Sequence, residues 1–166
     1  MTDDAAGPDD ALLQAFWDVA RVHARLGSTV PNYLGPSTLE MLRPPCWSFG
    51  DDEEARVHTA EVVGGLVTAG TSLLSDHEPD DLPQPGSLSV LLDHGMRPVA
   101  LLATDDVQVV ALADVPDAHV AAEMPGEASR EEWLAARRAD LVEHPDDLRP
   151  ETEVVLESFR VVHRAD

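Results

Sequence analysis

The stretch whose residue types could support binding or chemistry is Gly64-Gly65-Leu66-Val67-Thr68-Ala69-Gly70-Thr71-Ser72-Leu73-Leu74. Apolar residues keep a helical spacing up to about Val67; small and hydroxyl residues follow, then the strand-like Ser72-Leu73-Leu74. A helix running straight into a strand exposes backbone N–H groups and small side chains at one rim of a sheet, a common place for a ligand. Asp76-His77-Glu78-Pro79-Asp80-Asp81 also holds metal-ligating types. They are crowded into one Pro-containing loop, and no His pair at i,i+4 supplies the partner they would need, so the segment reads as a solvated acidic loop. Gly64-Gly65 is followed by no Gly-Lys-Thr and precedes a strand, which excludes a nucleotide phosphate loop. No metal and no cofactor is expected.

The charge narrows the classes further. The chain has 166 residues, with 11 basic residues against 32 acidic ones, a net charge of −21. Every basic residue is arginine, which excludes a lysine Schiff base or a lysine general base. A broad nucleic-acid surface is not expected, because phosphate binding draws most of its affinity from cationic contacts. Cys46 is the only cysteine, so there is no internal disulfide framework; with seven scattered histidines it argues against structural zinc. No apolar run is long enough to cross a bilayer, and the acidic N-terminus is no signal peptide, so the protein reads as cytoplasmic. Neither monomer nor dimer is indicated.

Around the junction, the elements fall in order. Residues 1–8 are an acidic leader expected to fray. A first helix spans roughly 10–26, capped by Asp9 or Asp10, with Leu12/Leu13, Phe16/Trp17, Ala20, His23 and Leu26 as its stripe and Gly27 as its stop. His23 reads as a packed histidine, not a ligand. Residues 28–50 are irregular, broken by Pro31, Pro36, Pro44 and Pro45. Trp47 and Phe49 are expected to plug one end of the core, with Cys46 buried beside them. A second helix runs from Asp51, its cap, with Glu54 at the capping-box position, to about Val67. Strands are expected at 71–75, at 87–92 turning through Asp93-His94-Gly95 into 97–102, and at 107–112. A short helix follows Pro116, and the capping box Ser129-Arg130-Glu131-Glu132 opens a helix of about 130–143 with Trp133 and Leu141 inward. Arg137 and Arg138 read as surface ion-pairing residues. The last strand runs from Val154 to His163, with Val155, Phe159 and Val161. This order is not βαβ repetition; it predicts an α+β fold, a small, mostly antiparallel barrel with helices covering its ends. Residues 1–45 are taken as a helix and irregular segment packed on a barrel domain of 46–166.

Six blocks in order resemble the ASCH domains, a branch of the PUA-like barrels. They are Cys46-Trp47-Ser48-Phe49-Gly50-Asp51; Thr68 to Leu74; Leu82 to Asp93 with Arg97-Pro98-Val99; Ala121-Ala122-Glu123; Trp133; and Val154 to Phe159. The resemblance implies a closed β-barrel with a ligand cleft at the helix-to-strand junction. Some members hydrolyse the acetyl group of N4-acetylcytidine, some cleave RNA, and others are thought to bind RNA. Active members resemble one another in Gly-Arg-Lys-Thr-x-Thr, whose Lys and second Thr work with a later Glu. On this chain those three positions fall on Val67, Gly70 and Pro125, and the motif Arg on Leu66; Thr68 alone is kept.

The resemblance therefore implies a catalytically degenerate binding module, with Val67, Thr68, Gly70, Thr71, Ser72, Glu123 and Glu127 around a cleft for a small neutral ligand or nucleoside. The alternative is an ASCH-type amidohydrolase or ribonuclease. It would use Thr68, Thr71 or Ser72 with Glu123 or Glu127, and a one-residue shift would place Thr71 where the nucleophile belongs. A third reading, an acidic module that meets a basic protein, rests on the charge alone. In a strand, a one-residue slip reverses every side chain, so the position of Thr71 decides between the first two.

Overall fold

A computed structural model describes residues 7–24, 43–126 and 128–166. The expected end of the first helix at Leu26 and Gly27, residues 28–42 of the irregular stretch, and Glu127 lie outside them. The chain forms two compact units: residues 1–63, 88–102 and 161–166, and residues 64–87 and 103–160.

In the first unit, α1 (Asp10–His23) begins where the Asp9 carboxylate accepts the N–H groups of Ala11 and Leu12. Its buried face is Leu13, Phe16, Trp17 and Ala20, which pack with Val90, Leu92 and Leu101. Leu12, placed on the stripe by the sequence, is exposed; the 100° step between neighbours lets Leu13 face inward and turns Leu12 away. β1 (Cys46–Trp47) pairs parallel with β3 (Leu88–Leu92). Trp47 is half-buried and donates its indole N–H to Ser89 Oγ at 3.1 Å. Phe49 does not plug the core: it is 36% exposed, set edge-on to Trp47 and His58. Cys46 is exposed as well. Cys46 sits on the two-residue strand β1, an edge of the sheet among the described residues, and Phe49 lies two residues beyond its end.

α2 (Glu53–Gly64) is shorter than expected. Its cap is Asp52, not Asp51, since Asp52 Oδ1 takes the Ala55 N–H at 2.7 Å. Gly65, with φ +76°, ends the helix in a conformation that glycine adopts without steric cost. Helix and strand are thus not contiguous: residues 66–68 separate them, Leu66 exposed and Val67 buried to 1%.

The second unit contains β2 (Ala69–Leu73), then α3 (Asp117–Glu123) and α4 (Arg130–Leu141). The Ser129–Glu132 capping box opens α4 as predicted. Trp133 is fully buried in a cluster with Leu112, Val115, Val120, Leu148, Val154 and Leu156. The loop at 76–81 is mostly exposed, as expected of a solvated acidic segment.

β4 (Pro98–Ala111) and β5 (Glu153–Arg164) contribute their two ends to different units. The two strands expected at 97–102 and 107–112 are one. Asp105 pairs with Arg160 and Asp106 accepts from Gln108, so the charges between the apolar runs are met at the surface without breaking the strand. The five strands bond in the order β1-β3-β4-β5-β2. Among the described residues β1 and β2 are edges, and the expected barrel closure is not seen. Pro44 and Pro45, lacking N–H groups, confine β1 to two residues. The fold is α+β, and β2 runs antiparallel to β5.

Candidate functional site

The register of β2 decides which side chains meet. Gly70 opposes Glu157, Thr71 opposes Leu156, and Ser72 opposes Val155. Directly opposed residues share a face, and successive residues alternate. Thr71 therefore lies on the face of Leu156 and Trp133, under α3 and α4. Gly70 and Ser72 lie on the other face, with Glu157.

On the helix-covered face, Glu123 is the centre. It is 3% exposed. Its Oε1 accepts the Thr71 backbone N–H at 2.8 Å and Arg137 Nη1 at 2.7 Å. Its Oε2 accepts the Thr71 hydroxyl and the Trp133 indole N–H, each at 2.7 Å. His119 Nε2 lies 3.5 Å from the same oxygen and 2.9 Å from Thr71 Oγ1. Arg137 also reaches Asp140 at 2.8 Å. Burial alone would push the Glu123 carboxyl up. The His119 contact, the Arg137 charge and the bonds from Thr71 and Trp133 outweigh it and hold the carboxyl below its ordinary value. With the carboxylate ionised, the Thr71 proton lies on the bond to Oε2. His119 Nε2 then carries the hydrogen that meets Thr71 Oγ1.

That arrangement brings together a hydroxyl, a carboxylate and a cation. A general base works best when its pKa is raised toward the working pH. Glu123 is shifted the other way, and its oxygens are already occupied. The lone pair with which Thr71 would attack faces a donor on His119. The group behaves as a clasp that ties β2 to α3 and α4.

The opposite face is less occupied. Among the described residues, only the Phe159 ring edge, at 3.8 Å, comes within 4 Å of where a side chain on Gly70 would begin. Ser72 Oγ lies 2.7 Å from His77 Nε2, and Glu157 accepts the buried Thr104 hydroxyl at 2.5 Å. Ser72, His77 and Glu157 are each half-buried. A hydroxyl, an imidazole and a carboxylate beside an aromatic edge can hydrogen-bond a neutral polar ligand and contact its ring.

Of the sequence-predicted residues, Thr71 and Glu123 are brought together, and Gly70 and Ser72 share the other face. Val67 is buried; Thr68 precedes β2 and is held through its backbone, its N–H on Ala122 O and its carbonyl on Phe159 N. Pro125 places no chemistry in either group. Arg137 is not a surface ion-pairing residue, since it bonds the buried Glu123; Arg138 is exposed. His119, Thr104 and Glu157 were not foreseen, and His77, expected in a solvated loop, instead meets Ser72. His119 and Glu123 are four apart on one helix, as are Trp133 and Arg137 on the next, so each pair shares a helix face. That spacing is the signal that points to His119 and Arg137. Among the described residues no group of three or more His, Cys, Asp or Glu could hold a metal ion. No helix there is long and apolar enough to cross a membrane.

The ASCH domain family profile matches residues 45–163. The chain belongs to the ASCH domain family. A crystal structure of an Enterococcus faecalis V583 protein superposes with a TM-score of 0.71 at 23% identity, covering 94% of this chain and 98% of that one. The ASCH domain of Lactobacillus crispatus JV V101 gives 0.70 at 23% identity, with 95% and 98% covered. At that identity the likeness speaks for the fold. No curated protein matches the chain.

Proposed function

We propose that this chain is a ligand-binding ASCH domain that takes a small neutral molecule or nucleoside on the Gly70 and Ser72 face of β2, without the hydrolytic chemistry of active members. One observation carries the reading: the register puts the motif position Gly70 on the face of Glu157 and fastens Thr71 to Glu123 on the other. Val67 and Pro125 offer no cation or carboxylate in its place. Ser72, His77 and Glu157 supply the polar contacts, and the Phe159 edge the apolar one.

The test is a titration with cytidine and N4-acetylcytidine followed by amide chemical shifts. A Cβ on Gly70 would make only an ordinary 3.8 Å contact with the Phe159 ring, so Gly70→Leu enters this face without a clash at Cβ. Shift changes at residues 70–72, 77 and 157 in the wild type, lost in Gly70→Leu, are the expected result. Equal binding by both proteins would move the ligand elsewhere, and no binding across a nucleoside panel would count against the reading.

A second reading rests on the 2.7 Å bond between Thr71 Oγ1 and Glu123 Oε2. It makes Thr71 the nucleophile, Glu123 the base and Arg137 the cation of an amidohydrolase. Acetate release from N4-acetylcytidine that disappears in Thr71→Ala would establish it in place of the first.

A further inference from the structure

On the reading that a nucleoside binds the Gly70 and Ser72 face, we infer that Glu157 sets which one. It selects a nucleobase that carries an exocyclic amino group over the same ring with a carbonyl oxygen in that place. The other polar groups of the face impose no such choice. A hydroxyl donates or accepts, and a neutral imidazole does both through its two nitrogens. Ser72 Oγ and His77 Nε2, 2.7 Å apart, can therefore exchange roles to suit either kind of ligand. Glu157 is different, because a carboxylate only accepts. Its Oε1 takes the hydroxyl of Thr104, itself buried, and that bond uses the one hydrogen Thr104 could offer a ligand. Among the described residues no group donates to Oε2. The Glu157 side chain is half-buried, so its charge faces the ligand with little water around it.

The backbone puts this acceptor where a ring can meet it. Glu157 stands directly opposite Gly70 across the β2–β5 pair. Opposed side chains on antiparallel strands start about 4.5–5.5 Å apart at Cβ, and glycine leaves its half of that space empty. Among the described residues only the Phe159 ring edge, at 3.8 Å, comes near it. A flat ring laid over Gly70 meets the Phe159 edge and turns its rim toward Glu157. An amino group on that rim makes a charge-assisted hydrogen bond. A carbonyl oxygen there sets lone pairs against the carboxylate and takes water from the anion without replacing it.

The experiment measures dissociation constants on the full chain for two matched pairs, cytidine with uridine and adenosine with inosine. Amide shifts at residues 70–72 and 157 locate the ligand. In each pair the amino-bearing member should bind about 10-fold more tightly or better, the worth of a hydrogen bond to a charged group. Glu157→Gln can turn either an oxygen or an N–H2 to the ligand, so it should bring the two members within about threefold of one another, chiefly by a gain for uridine and inosine. Equal binding of both members at residues 70–72 by the wild type would overturn the role of Glu157 and leave the binding site standing. A preference that Glu157→Gln keeps in full would overturn that role as well. Binding of none of the four nucleosides would overturn both the role and the site.

Discussion

Glu123 accepts four hydrogen bonds in a place almost closed to water. Removing its charge leaves Arg137 with only the exposed Asp140 as an ion partner and takes the anion away from four donors, and breaking one side of a buried pair costs several kcal/mol. Glu123→Gln should therefore destabilise the chain by about 3 kcal/mol in urea unfolding. Thr71→Val removes a single bond from an anion that keeps its other donors and should cost about 1 kcal/mol. The pH dependence has a definite sign. The folded carboxyl lies below its ordinary value of 4.5, so the unfolded chain binds the proton more readily. The stabilisation is complete above the ordinary value and is lost as pH falls through it toward the folded one. Unfolding midpoints between about pH 6 and pH 3 should fall for the wild type and fall less for Glu123→Gln. The sequence made Thr71 and Glu123 visible as one possible pairing. It did not show Arg137 as their cation, because Arg137 comes from a different helix and reads like any surface arginine.

At the level of elements, local chemistry was the most legible. The Asp9 cap, the Ser129–Glu132 capping box, the hairpin turn after β3 and the final strand need only neighbouring residues, and all four are present. Ser129→Ala should lower stability by about 1 kcal/mol, checked by chemical unfolding, with no effect on ligand binding. What the sequence missed depended on longer-range partners. Arg160 meets Asp105 from another strand and lets β4 continue through a polar break. α2 stops at Gly64 because Gly65 turns left-handed there, although the apolar spacing continues to Val67. Gly65→Ala should therefore cost about 1 kcal/mol. That early stop leads the chain through residues 66–68 into the β2 register that puts Gly70 and Thr71 on opposite faces.

At the level of the whole molecule, the ordered blocks led to the family, and the matched residues 45–163 cover most of the chain. Closure of the sheet was not legible, because it depends on how far two edge strands extend and not on their own pattern. A net charge of −21 repels itself in the compact state. Raising NaCl from about 0.05 to 0.5 M should raise the thermal midpoint, since screening falls within a Debye length of about 4–14 Å over that range. The most direct measurement is one NMR experiment on the wild-type chain with N4-acetylcytidine, reading protein shifts and free acetate in the same tube. Perturbation of the Gly70 and Ser72 face with no acetate above the rate of the buffer is the predicted result. Acetate released catalytically, and lost in Thr71→Ala, would contradict it.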